Sequence, residues 1–138
     1  MLYSSTLTLR ETCVATVELT KDNFESVVTG HDMVIVDFWA PWCAPCRAFA
    51  PTFELAAERH ADVIFAKVNT EAEQDIAAAF NIRSIPTLMF FREKVILYAD
   101  AGALPPTMLD EVITRAKAVD MAEVHREAAA QAAEPGPA

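Results

Sequence analysis

The sequence predicts an α/β fold, a central mixed β-sheet of about five strands flanked on both faces by about four helices. Three observations carry this expectation. Residues Met33 to Trp39, MVIVDFW, form an almost uninterrupted apolar run of strand length, the pattern of a strand covered on both faces. Strand-like and helix-like stretches then alternate along the chain, which implies crossover connections and a largely parallel sheet. Finally, two strand-like runs, Thr87 to Phe91 and Val95 to Ala99, are joined only by Arg92-Glu93-Lys94, a link short enough for an antiparallel hairpin although it lacks the usual glycine.

The elements follow in order. Val17 and Leu19 alternate with Thr16 and Glu18, giving a short strand with one buried face. Asp22, three residues before Glu25, offers a helix N-cap, and Phe24, Val27 and Val28 supply that helix with an apolar side before Gly30 ends it. The Met33–Trp39 strand is interrupted only by Asp37. A second helix begins around Cys43 and Cys46 and carries Phe49, Phe53, Ala56 and Ala57 on one side, with Pro51 predicting a kink. Val63 to Val68 reads as the next strand and Glu71 to Phe80 as a third helix, closed by Asn81. After the hairpin and Gly102, a last helix starts after Pro105-Pro106 with a stripe at Leu109, Val112, Ile113, Ala116 and Val119 that persists weakly through Val124 and Ala128. No internal repeat is present.

A chain of 138 residues with 53% hydrophobic content is expected to be one domain with a self-sufficient core. Eleven basic against twenty acidic residues leave a formal charge of −9, which repels phosphate backbones and argues against nucleic acid as a partner. No apolar stretch approaches the roughly 18 residues that suggest a membrane span. The first twenty residues lack a basic start, a long apolar run and a small-residue cleavage site, so a cytoplasmic, reducing setting is expected. Three cysteines, two of them within one four-residue window, do not make a disulfide framework.

The chemistry concentrates in Cys43-Ala44-Pro45-Cys46 at a strand-to-helix junction. In such a setting a CxxC reads first as a redox pair and second as half a zinc site, and Cys13 is the only other cysteine available to complete a ligand set. Asp37, a carboxylate inside a doubly covered strand, should have its pKa raised by burial; from the residue alone, a structural acid and a proton acceptor are both open. Trp39 reads as core packing. His31, His60 and His125 lack ligand spacing and read as surface histidines, and Cys13 as an incidental free thiol.

Taken together, VDFWAPWCAPC, Pro51 eight residues after Cys43, the Lys67-Val-Asn69 strand end, the Ile85-Pro86-Thr87 corner and Ala101-Gly102-Ala103 resemble the thioredoxin family. The likeness spans residues 15 to 118 without an insertion. It departs from the family pattern at Ala44 and Ser84, where glycine is common, and at Glu93-Lys94, where Asn-Gly is common. The implied organisation is an N-terminal arm over 1–13, a thioredoxin domain over 14–118 and a helical extension with a frayed tail over 119–138.

The resemblance implies a dithiol–disulfide oxidoreductase that reduces disulfides in protein substrates. Cys43, at a helix start where the backbone dipole and free N–H groups favour thiolate, is the expected nucleophile, and Cys46, one turn inside, the resolving thiol. Asp37 would act as the buried base and Lys67 as its modulator. Trp42, Ala44, Pro45, Ile85, Pro86, Gly102 and Ala103 would form the substrate groove, with a cis Ile85–Pro86 bond presenting the backbone of Ile85. No bound cofactor or metal is expected; electrons would come from an NADPH-dependent thioredoxin reductase, and the protein would act as a monomer. Ala44 alters the dipeptide that tunes the potential, and oxidising relatives sit about 150 mV higher, but retention of Pro45 favours a reducing protein. The alternative is a peptide-binding or chaperone-like module in which the thiols are secondary.

Overall fold

The computed structural model describes residues 15–133. The expected arm over 1–13, Cys13 within it, and the tail from 134 lie outside the described residues. The elements are β1 (Thr16–Glu18), α1 (Phe24–Gly30), β2 (Met33–Trp39), α2 (Ala44–Arg59), β3 (Ile64–Asn69), α3 (Gln74–Ala79), β4 (Thr87–Arg92), β5 (Val95–Ala101), α4 (Pro106–Ala118) and α5 (Met121–Ala133). The five strands form one sheet in the order β1-β3-β2-β4-β5, with β1, β3 and β2 parallel and β4 and β5 antiparallel to their neighbours.

Strand β2 is central, and every residue from Met33 to Phe38 is buried. Because side chains alternate along a strand, its two parities feed two cores. Met33 and Ile35 join Phe65, Leu88 and Phe90 under α2 and α4, which contribute Phe49, Phe53, Leu109 and Ile113. Val34, Val36 and Phe38 join Ala66, Val68, Met89 and Phe91 on the other face, covered by Leu19, Val28 and Ile76. Asp37 shares the parity of the first set, so it belongs to the face covered by α2. The fully buried Phe53 and Phe65, with ring centroids 5.2 Å apart, tie that helix to the sheet, and truncating a buried Phe to Ala costs about 3–5 kcal/mol.

The β4–β5 turn forms without glycine: Glu93 and Lys94 both take left-handed backbone conformations, φ 50° and 72°, as a two-residue hairpin turn of the primed type requires. Asn81, at φ 57°, ends the third helix as its sequence suggests.

Several expectations are corrected. The first helix starts at Phe24, and Asp22 does not cap it. Asn23 folds back instead, its Oδ1 accepting from the Thr20 N–H at 2.7 Å and its Nδ2 donating to the Glu18 carbonyl at 3.1 Å. Helix α3 is shorter than predicted, because Asn69 Oδ1 takes the N–H groups of Glu71 and Ala72 at 3.0 and 3.2 Å and holds them in a turn. His60 is half-buried rather than a surface residue, with Nε2 3.0 Å from Asp110 and its ring stacked on Phe65.

At the C-terminus the described residues form two helices where the sequence stripe reads as one weakening continuation. The last helical stripe breaks at Val119, whose backbone is extended (φ −65°, ψ 136°). Arg92 caps the stop: its Nη1 is within 2.8–3.0 Å of the carbonyls of Ala116, Lys117 and Val119, and its Nε lies 3.5 Å from Asp32. These carbonyls are among those a helix leaves unpaired at its end. Asp120 then accepts the Glu123 N–H at 3.2 Å and starts α5, which buries Met121 and sets His125 2.7 Å from Glu93.

Candidate active site

The site stands at the C-terminal end of β2, where a short loop hands the chain to α2. Cys43 occupies the N-cap position of that helix with an extended backbone, and Pro45 lies in the first turn, where a missing N–H costs no helical hydrogen bond. Cys43 and Cys46 form a disulfide, with their Cα atoms 5.3 Å apart. The Cys46 N–H donates to Cys43 Sγ at 3.3 Å. Cys43 Sγ thus sits where the helix end concentrates positive partial charge.

Both cysteines are buried with Ala40, and Trp39 and Ile85 pack against them. The Ile85–Pro86 bond is cis, and the Ile85 carbonyl oxygen lies 3.9 Å from Cys43 Sγ. The Gly102 N–H donates to the Pro86 carbonyl at 2.7 Å, which brings the end of β5 against this corner. Trp42 is 66% exposed, and Ala44 and Pro45 are exposed beside it. Pro45 and Ala103 line one shallow cleft of about 340 Å³.

Asp37 has no solvent exposure, and neither of its carboxylate oxygens has a hydrogen-bond partner. Burial pushes its pKa up from 3.8 to about 7, and the positive charge of Lys67 partly opposes the rise. Lys67 pairs with Asp37 in the β2–β3 register. It is half-buried, and its Nζ lies 4.6 Å from the Trp39 ring centroid. Asp37, Trp39 and Lys67 therefore share the sheet face covered by α2, whose buried side begins with Cys46.

The eleven residues to which the resemblance gives a catalytic or substrate-binding role fall at or behind this end of the sheet. Three supporting residues escaped the sequence reading. The Thr70 N–H and hydroxyl both donate to the Trp39 carbonyl, at 2.8 and 3.0 Å, and Arg47 Nη1 donates to the Pro41 carbonyl at 2.8 Å, bracing the loop before Cys43. Ala40 completes the buried cysteine cluster. A small residue, a threonine and an arginine carry no spacing signal of their own; only position next to the CxxC could have drawn attention to them. Among the described residues no group of three His, Cys, Asp or Glu is arranged to hold a metal, and no helix is long and apolar enough to cross a membrane.

Comparison with known proteins agrees with this geometry. The family profile described as Thioredoxin matches residues 15–131, so the match continues into α5, beyond the sequence-stretch that carried the resemblance. The chain is 51% identical over 122 residues to a putative thioredoxin 2 of Streptomyces coelicolor, covering 88% of this chain and 91% of that protein. It is 42% identical over 95 residues to a thioredoxin of Haemophilus influenzae, covering 67% and 89%. Among solved structures, Plasmodium falciparum thioredoxin superposes with a TM-score of 0.68 at 28% identity, covering 72% of this chain and 98% of that one. Malassezia sympodialis thioredoxin gives 0.66 at 33% identity, covering 72% and 89%. With a redox-active cysteine pair at the head of α2 and relatives that match it over nearly their whole length, this chain belongs to the thioredoxin family and is a thiol–disulfide oxidoreductase.

Proposed function

We propose that the protein works in the reducing direction, with Cys43 as nucleophile, Cys46 as resolving thiol, Asp37 as base and Lys67 as modulator of that base. The observation that carries this reading is the placement of Cys43 Sγ: it receives a helix-start N–H and lies beside the Ile85 backbone. In the reduced protein the Cys43 thiolate attacks a substrate disulfide, forms a mixed disulfide and expels one substrate thiolate. Cys46, giving its proton to the Asp37 carboxylate, attacks Cys43 Sγ and releases the second substrate thiol. Two electrons pass to the substrate, and the Cys43–Cys46 disulfide seen here is the product.

The pKa of Asp37, raised to about 7, suits this exchange, since a base works best when its affinity for the proton matches the ambient pH. Trp42, Ala44, Pro45, Ile85, Pro86, Gly102 and Ala103 receive the substrate, whose extended chain pairs with the backbone of Ile85 as a one-residue strand addition. Family membership supports recharging by an NADPH-dependent thioredoxin reductase, with no cofactor held by this chain. In this reading the protein is a cytoplasmic monomer, in which 14–118 form the redox domain and 119–138 an extension.

Replacing Cys46 with Ser tests the scheme. The variant should accumulate mixed disulfides with substrate proteins through Cys43, visible on non-reducing gels and absent when Cys43 is also replaced. Failure to trap any partner refutes the assigned order of attack. Full cellular activity of the double Cys43→Ser/Cys46→Ser variant would favour the peptide-binding module instead.

A further inference from the structure

We infer that the cleft beside Pro45 is an extension of the substrate site. It takes the apolar residues that flank the reacting cysteine in a protein substrate and thereby selects among disulfides. This rests on the protein-disulfide reading above and extends it from Pro45 and Ala103, which that reading already uses, onto a flank of α2 that it does not.

The cleft, about 340 Å³, lies between α2 and the segment entering α4 and is lined by Pro45, Ala48, Phe49, Thr52 and residues 103–106. No charged side chain lines it, although the chain carries a net charge of −9 and charged residues make up 22% of it. Ala48 and Thr52 stand four residues apart on one helix face, and Phe49 forms the buried floor. The apolar strip continues past the cleft. Leu55, three residues beyond Thr52, is 53% exposed, and Met108, three residues beyond Pro105, is 46% exposed. Together with Trp42 they are three of the four large hydrophobic side chains exposed among the described residues.

What covers this strip follows from where it starts. Pro45 lies between the two cysteines, and Ala103 follows Gly102, which is bonded to the Pro86 corner. Any polypeptide whose disulfide reaches Cys43 therefore has chain beside this cleft. From Pro45 to Leu55 the helix rises about 15 Å at 1.5 Å per residue, the span of four or five residues of extended chain. Beyond Leu55 the strip is closed by the Arg59–Asp110 ion pair, at 3.0 Å, which joins α2 to α4. A segment with apolar side chains gains by covering such a surface, whereas one with charged side chains would give up hydration without a counter-charge in return.

The test uses the full chain, reduced with dithiothreitol and freed of it before single-turnover mixing, so that neither a reductase nor free dithiol reaches the substrate; the second-order rate constant then stands for kcat/KM. The substrates are a disulfide-linked peptide with Leu and Val within five residues of its cysteine on both sides, its counterpart with Ser and Asn at those positions, and 5,5′-dithiobis(2-nitrobenzoate). The wild-type protein should prefer the apolar peptide in kcat/KM by about tenfold, a factor typical of one well-buried contact group. Thr52→Glu should remove most of that preference while leaving the polar peptide and the small disulfide within about twofold. Thr52→Val should keep the preference, and Ala48→Glu, a change at an exposed position, should repeat the loss. Equal kcat/KM for the two peptides in the wild type overturns the inference, as does a loss shared by all three substrates in both Glu variants, which would place the effect on the thiols. A wild-type protein that reduces none of the three would overturn the oxidoreductase reading itself.

Discussion

Replacing Asp37 with Asn should change the pH dependence of stability by an amount the structure allows to be worked out. The folded carboxyl has its pKa raised by burial from 3.8 to about 7. Between those values the folded state holds a proton that the unfolded chain has released. Stability therefore falls as pH rises through this window, and the loss is complete above about pH 7. At about 1.36 kcal/mol per pH unit, a rise from 3.8 to about 7 costs about 4 kcal/mol in total, of which about 3 kcal/mol falls between pH 5 and 8.5. Asn does not titrate, so the variant lacks this slope, and its stability relative to the wild type should improve by that amount from pH 5 to 8.5. Guanidinium unfolding of the disulfide form of both proteins at a series of pH values measures the difference directly. Parallel profiles would refute the claim that Asp37 is charged against its environment, and with it the supply of a proton acceptor near pH 7.

Lys67→Met removes the charge that lowers the Asp37 pKa, so the carboxyl titration followed by ¹³C NMR should move to higher pH; a downward move would contradict the Asp37–Lys67 coupling. Arg92→Leu leaves three helix-end carbonyls without their donor and should cost about 2 to 3 kcal/mol, with hydrogen-exchange protection lost first at the α4–α5 junction; an unchanged urea midpoint would show that solvent caps the helix equally well. Lys94→Gly relieves a left-handed non-glycine residue in the hairpin turn and should stabilise the protein by about 1 kcal/mol, read from the same urea midpoint; a destabilised variant would mean that Lys94 contributes through its side chain.

What could be read from the sequence was whatever local pattern alone decides. The run from Met33 to Phe38 announced a strand buried on both sides because nothing but a covered strand tolerates it, and Asp37 stood out against that run. The cysteines were placed at a helix start by the change of period after Trp39. The features that escaped depend on partners distant in the chain. Neither glycine nor proline interrupts the stripe between Leu109 and Val124, and the one local signal, Asp120 three residues before Glu123, marks a helix start; the carbonyls at the stop are held by Arg92, 24 to 27 residues upstream. His60 owes its half-buried position to Asp110 and Lys117, 50 and 57 residues away. Asn23 won over Asp22 at the first helix because its side chain also reaches Glu18, a choice that helix propensity does not contain.

The position of α5 bears on how the protein can be attached to other things. Helix α5 begins where Arg92 and Glu93 close the hairpin, and in the sheet Met33 is paired with Arg92 while Phe38 is paired with Thr87. The start of α5 and the cysteines therefore lie at opposite ends of β2, about 20 Å apart at 3.3 Å per residue. A graft or tether at the start of α5, for example at the exposed Ala122, departs from a point remote from the sulfurs. A surface-immobilised or fused form held there keeps Cys43 turned toward its solution, and the protein can serve as a tethered reductant without a spacer that has to clear its own active face.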